Sequence, residues 1–299
     1  MTHDTLERGA LSRRSFLAVA GAAPLALAAG CASHGARGPE RAVGVARIPI
    51  ALQLYSLRQD SQADFDGCLG QAATLGFQGV EFAGYFTYAG KGPELRKRLD
   101  ALGLKAAGTH IRVEALQGDE LQKTIDFHQA IGCRFLVVPG ARAFTDPEQS
   151  KALAETFNQV AERLQPLGMA CGYHNHTAEF QTDGGKTFWD LFAERTRKDV
   201  ILQQDCGWTV AAGQDPVAYV KKYPGRSRTV HFKPTVLEGD AAKKPILGQD
   251  SVAWRAVYDA CLSDGGTEWV VLEQELYPDG KTPLECVKES FAGLKRIVA

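Results

Sequence analysis

Four times in its first two thirds the chain sets a glycine between two apolar residues at the end of an amphipathic stretch: Leu75-Gly76-Phe77, Leu102-Gly103-Leu104, Ile131-Gly132-Cys133 and Leu167-Gly168-Met169. A glycine there can take the left-handed conformation that terminates a helix, so each triplet reads as a helix turning back into a strand. The surrounding pattern agrees. Short apolar runs recur at Ile48 to Tyr55, Gly79 to Phe82, Lys105 to His110 and Phe135 to Val138. They continue at Met169 to Asn175, Ile201 to Asp205, Thr229 to Phe232 and Trp269 to Glu273. Helical spacing fills the gaps, as in Leu153, Phe157, Val160, Leu164 and Leu167. Alternating strands and helices imply a parallel sheet.

Eight repeats in about 250 residues fit a single-domain α/β fold, the closed (β/α)8 or TIM barrel, over residues 47–299. An open doubly wound sheet would carry a glycine-rich loop after its first strand, where Leu54-Tyr55-Ser56-Leu57-Arg58 stands instead. The formal net charge of -1 gives a nucleic-acid partner no electrostatic support.

Residues 1–31 read as an export leader. Ser12-Arg13-Arg14-Ser15-Phe16-Leu17 resembles a twin-arginine motif. The apolar run from Phe16 to Ala29 is broken by Pro24 and is short for a membrane span of ~20 residues. Leu27-Ala28-Ala29-Gly30-Cys31 resembles a lipoprotein cleavage box, with Ala28 where a larger aliphatic residue is usual. Lipidation of Cys31 and plain cleavage nearby both stay open. Residues 32–46 read as a tether. The expectation is a periplasmic protein whose only membrane contact is an anchor at Cys31. The six remaining cysteines are widely spaced with no CxxC, and are expected as buried free thiols.

In a (β/α)8 barrel the C-terminal strand ends form the active face. Here they bring Gln53 and Tyr55, then Glu81, then His110, then only Pro139-Gly140. The later strands bring His174, His176 and Glu179, then Asp205 followed by Trp208, then His231 and Lys233, and last Glu273 and Glu275. Charged groups are rarely buried unless paired or bound to metal, so convergence of Asp205, His231 and Glu273 calls for a cation. Mixed imidazole and carboxylate ligands suit a divalent metal, Mn²⁺ first, with Zn²⁺, Co²⁺ or Fe²⁺ as alternatives.

From residue 48 to 299 the chain resembles the xylose isomerase-like barrels, the sugar phosphate isomerase/epimerase group that also carries the AP endonuclease family 2 name. The resemblance lies in Gln53-Leu54-Tyr55-Ser56, Gly79-Val80-Glu81, Gly108-Thr109-His110, Tyr173-His174-Asn175-His176, Asp205, His231-Phe232-Lys233 and Val271-Leu272-Glu273. It implies a metal held by Asp205, His231 and Glu273. Ketose epimerases of the group add a glutamate three residues before an asparagine on the fifth strand. If Asn175 is that asparagine, the position falls at Gly172, which has no ligating side chain. His174 shares its strand parity and is the first replacement, with His176 and Glu179 next.

The resemblance further implies Glu273 as a base, with His176, Glu179 and Lys233 as catalytic candidates. Gln53, Tyr55, Glu81, His110 and Trp208 would face a small sugar or keto-sugar. The implied activity is a sugar isomerase or epimerase working through an enediolate. A 3-keto-sugar (3-keto-glycoside) lyase or hydratase follows closely, because imidazole stands where the second glutamate would be. The rival from another class is a non-catalytic periplasmic sugar-binding lipoprotein. A tri-zinc nuclease is disfavoured, since Gly207-Trp208 follow Asp205 where a further histidine is needed.

Overall fold

The computed structural model describes residues 47–299; the leader, Cys31 and the tether lie outside the described residues. Eight parallel strands close into one barrel in chain order: β1 (Ile50–Gln53), β2 (Gly79–Phe82), β3 (Lys105–His110), β4 (Phe135–Val138), β5 (Ala170–His174), β6 (Ile201–Asp205), β7 (Thr229–Phe232) and β8 (Trp269–Leu272). Pairing of Ile50 with Val270 and Leu52 with Leu272 closes the ring. Outside it lie α1 (Phe65–Leu75), α2 (Gly92–Leu102), α3 (Gly118–Ile131), α4 (Gln149–Leu164), α5 (Phe188–Arg195), α6 (Pro216–Lys222), α7 (Trp254–Ala260) and α8 (Pro283–Ile297).

Gly76, Gly103 and Gly132 cap α1, α2 and α3 in the left-handed region, as the triplets implied. Gly168 does the same after the 3₁₀ turn Gln165–Leu167, which cuts the fourth helix shorter than its apolar spacing suggested. The apolar residue after each glycine is buried, so the cap also aims the chain inward.

Strand parity divides the molecule. Outward residues such as Leu52, Val80, Tyr173, Leu202, Val230 and Leu272 pack under the helices in two large clusters. Inward residues form layers, as barrel interiors do. Phe135, Ala170, Ile201 and Trp269 fill the N-terminal end. Ala51, Ala107 and Val271 lie above them. The upper interior is polar, with Gln53, Glu81, His174, Gln203, Asp205 and His231 all buried there.

Two boundaries shift the site. β1 stops at Gln53, whose side-chain oxygen accepts the Tyr55 N–H at 3.1 Å and starts a 3₁₀ turn over Leu54–Leu57. Tyr55 therefore sits on that turn and not on the strand. A small hairpin, Thr182–Asp183 with Lys186–Thr187, sits between β5 and α5 and was not foreseen. All six cysteines of the described residues are buried and free, as expected. Among the described residues, no helix is long and apolar enough to cross a membrane.

At Gly172 β5 and β6 approach closely. A Cβ there would sit 2.4 Å from the Ile201 carbonyl oxygen and 2.5 Å from the Ile201 Cβ. The position is closed to any side chain, whatever its chemistry. Gly172→Ala should therefore destabilise the barrel by about 1–3 kcal/mol, read as a lowered urea midpoint, and Gly172→Glu should cost more without adding a ligand. An unchanged midpoint in both variants would show that the strands can part there.

Candidate metal centre and active pocket

The layering places the chemistry. Along β5, β6 and β7 the inward parity that buries Ala170, Ile201 and Thr229 below delivers His174, Asp205 and His231 above, and Glu273 follows directly on β8. One ligand atom from each of His174, Asp205, His231 and Glu273 lies within 4.8 Å of all the others. These are the four residues expected to hold a metal. An overlapping group, His110, His174 and His231, meets the same spacing.

Hydrogen bonding fixes which atoms are free to ligate. The root is Glu81, fully buried. Its carboxylate accepts from Gln53 Nε2 at 2.8 Å, Gln203 Nε2 at 2.7 Å and His231 Nε2 at 2.5 Å. A carboxylate accepts only, so the Gln203 amide nitrogen faces it and the Gln203 oxygen faces away. That oxygen lies 3.0 Å from His174 Nδ1 and 2.8 Å from His110 Nε2. Both ring nitrogens must donate to it. The proton on His174 is thus at Nδ1, leaving the Nε2 lone pair toward Asp205 Oδ2 at 3.8 Å. His231 donates from Nε2 to Glu81 and from Nδ1 to Glu273, 2.8 Å away; a cation would displace the Nδ1 proton, and Asp205 Oδ2 lies 4.0 Å from the same nitrogen.

Asp205 completes the set. Its Oδ1 accepts the Trp208 N–H at 2.8 Å and caps the short helix Cys206–Ala211. Its Oδ2 is buried without any hydrogen-bond partner. Asn175 ties β5 to β6 here, its Oδ1 accepting the Asp205 N–H at 3.0 Å. An orphaned carboxylate oxygen among two imidazole nitrogens and a second carboxylate is a donor set that fits a divalent cation.

The charges on these groups are strongly coupled. Burial works against a charged His231, but Glu81 and then Glu273 outweigh it and lift the imidazolium to about 10. Burial pushes Asp205 up to about 7, against the pull of Lys233. Glu273 is also opposed by burial, yet His231 and Lys233 hold it down to about 2. His174 is pushed below the usual imidazole range by burial and by its histidine neighbours. His176 falls to about 4 for the same reason, with the Lys233 charge adding.

Above the cluster opens a cavity of ≈ 440 Å³, lined among others by Tyr55, His110, His174, His176, Lys233 and Glu273. The Lys233 ammonium pairs with Glu275 and lies 4.3 Å from the Trp208 ring centroid. Arg112, which the sequence did not single out, stands on the same wall.

Three expectations are corrected. Gln53 and Glu81 do not face the substrate. Both are fully buried below the cavity, and every oxygen of Glu81 is taken by Gln53, Gln203 and His231. Glu179 joins neither the clustered ligand atoms nor the cavity wall: it accepts from the Tyr173 hydroxyl at 3.2 Å and from the His176 N–H at 2.8 Å, and so shapes the loop that presents His176. Trp208 does not line the cavity but backs Lys233 and His176, the latter at 5.6 Å between ring centroids. Gln203, the hinge of the tautomer chain, was passed over. Its signal was present, since it shares inward parity with Asp205 two residues on.

A family model described as xylose isomerase-like TIM barrel matches residues 69–297. An inosose dehydratase of Lacticaseibacillus casei is 26% identical over 200 residues, covering 61% of this chain and 63% of the relative, so less than two thirds of that protein is spanned. One from Bacillus licheniformis is 26% identical over 259 residues, covering 73% of this chain and 83% of the relative. A solved structure of a sugar phosphate isomerase/epimerase from Parabacteroides distasonis aligns with a TM-score of 0.72 at 25% identity, covering 86% of this chain and 97% of that one.

Glu81→Gln puts an amide where three donors converge on a carboxylate. It should weaken Mn²⁺ binding by about 10–100-fold with all four ligands intact, measured by equilibrium dialysis. Unchanged affinity would remove Glu81 from the orientation of His231.

Proposed function

This chain belongs to the xylose isomerase-like TIM barrel family, and from that premise we propose that it is a divalent-metal-dependent enzyme that removes the proton α to the carbonyl of a sugar or keto-sugar. The single observation that carries the reading is the convergence of His174, Asp205, His231 and Glu273, with Asp205 Oδ2 unpartnered, at the floor of an open cavity.

His174 Nε2, Asp205 Oδ2, His231 Nδ1 and Glu273 would hold the cation, which when bound supplies Lewis-acid polarisation of the carbonyl oxygen. The other roles belong to side chains. Glu273 takes the α proton as general base. Lys233, kept cationic by Asp205, Glu273 and Glu275 against the cost of its burial, faces the same cavity as proton donor. His176 and His110 bind hydroxyls along the wall.

Elimination is the outcome this arrangement favours. Two-base epimerisation needs a second carboxylate facing Glu273, and Gly172 is closed to one. The cavity wall carries the Lys233 ammonium, paired with Glu275, and the imidazoles of His110, His174 and His176. In elimination the C–H pair of electrons forms the new double bond, the β hydroxyl leaves, and Lys233 protonates it to water. The relatives named inosose dehydratase agree with this reading. The epimerase reading has its own support in the isomerase/epimerase structure that aligns over most of the chain. We also retain the reading of residues 1–31 as a twin-arginine leader, which would set the activity in the periplasm.

The test is proton exchange into keto-sugars in D₂O, with Mn²⁺ added or chelated. Exchange should need metal, fall about 10²–10⁴-fold in Glu273→Gln, and accompany release of water. Exchange with epimerised sugar and no water would decide for the epimerase. Sugar binding without exchange, indifferent to chelation, would leave a binding protein.

A further inference from the structure

β8 ends at Leu272, yet the chain keeps its alternation beyond that point. Glu273 and Glu275 both line the cavity, while Gln274 between them points the other way and is fully buried. The Glu273 N–H still bonds the Phe232 carbonyl on β7, but the Gln274 N–H passes to the Ser56 hydroxyl in the turn after β1. The Gln274 side chain takes over from the ladder. Its Nε2 donates to the Leu276 carbonyl at 2.5 Å, closing a small ring around Glu275, and to the Pro245 carbonyl at 2.7 Å. Its Oε1 accepts the Ser290 hydroxyl of α8 at 2.6 Å, and Ser290 in turn accepts the Leu247 N–H at 3.1 Å. Both amide hydrogens are spent on carbonyls, which only accept, so the orientation of the amide is fixed.

Pro245 and Leu247 belong to the loop of residues 233–253, which begins with Lys233 and runs to α7. This loop is seated on α8. Ile246 and Leu247 are fully buried, and a Cβ at Gly293 of α8 would overlap the Leu247 carbonyl oxygen. We propose that Gln274 is a positioning residue: by pinning the loop and the end of β8 to each other, it sets Glu273 among the metal ligands and Glu275 against Lys233. Asn175 shows the same device on the other side of the barrel. It is buried between the cavity residues His174 and His176, and its amide bonds the Asp205 N–H and carbonyl on β6. The role toward Glu273 rests on the metal reading above; the role toward Glu275 rests on the Lys233 ion pair alone.

Gln274→Met keeps the side-chain length and removes the donors. Gln274→Asn keeps an amide too short to hold Pro245 and Ser290 together, and carries the same comparison where Gln274→Met does not fold. Two measurements on the whole chain separate positioning from mere support. Mn²⁺ titration of the folded variant should give an affinity about 10-fold below that of the unsubstituted chain, with a changed EPR line shape for the bound ion. The second needs no metal. In protein labelled with 5-fluorotryptophan, the Trp208 resonance, assigned through Trp208→Phe, should shift in either variant, because the Lys233 ammonium over that ring loses the hold of Glu275. Lys244→Ala removes only the exposed pair of the same loop with Asp279 and should cause neither change. A lowered urea midpoint with Mn²⁺ affinity and the Trp208 resonance both unchanged makes Gln274 a structural tie and overturns the proposal. If the unsubstituted chain binds no Mn²⁺ while the Trp208 resonance still shifts in the variants, the metal reading falls and the hold on Glu275 stands; no binding and no shift overturn both.

Discussion

The Glu81 carboxylate organises the site without touching its cavity. It is fully buried in the barrel interior, where an ionised carboxylate is stable only with compensating donors, and it has them in Gln53, Gln203 and His231. Those donors are in turn fixed by it. His231 is locked with its proton at Nε2, and Gln203 is locked with its oxygen toward His174 and His110. One acceptor-only group thereby decides the tautomer of a second imidazole through an intervening amide. This is the outer-shell control that metal sites use to aim their ligands, built here across six strands of one barrel.

The same interior shows how the fold makes an open site from a closed layer. The N-terminal layers are apolar and filled by Phe135, Ile201 and Trp269. In the polar layer above them Asp205 Oδ2 is buried with no hydrogen-bond partner. The unsatisfied atom lies next to the cavity, where a cation can reach it. Gly172 contributes by omission, because the approach of β6 leaves no room for the side chain that a two-carboxylate site would need there.

Much of this was legible in the residues. The glycine triplets gave helix ends, the apolar runs gave strands, and their number gave the barrel. The four metal candidates could be read because each is an imidazole or carboxylate at the end of an apolar run, and parity alone sends it inward. The residues whose places differ from expectation do so for separate reasons. Glu81 and Glu273 look alike in sequence, each closing an apolar run. Which of them reaches the cavity depends on strand stagger around the ring, a property of no single strand. Glu179 was misread because its partners, the Tyr173 hydroxyl and the His176 N–H, meet it only when the loop folds back. Arg112 gave no signal, being a charged residue in a loop like any other.

The central claim is that four residues, aimed by Glu81, form one metal centre. Anomalous diffraction from crystals of the protein soaked in Mn²⁺ tests it directly. The account predicts a single strong peak inside the barrel mouth, ligated by His174 Nε2, Asp205 Oδ2, His231 Nδ1 and Glu273, with Glu81 still on His231 Nε2. A peak held instead by His110 or His176, or no peak within the barrel, would contradict it.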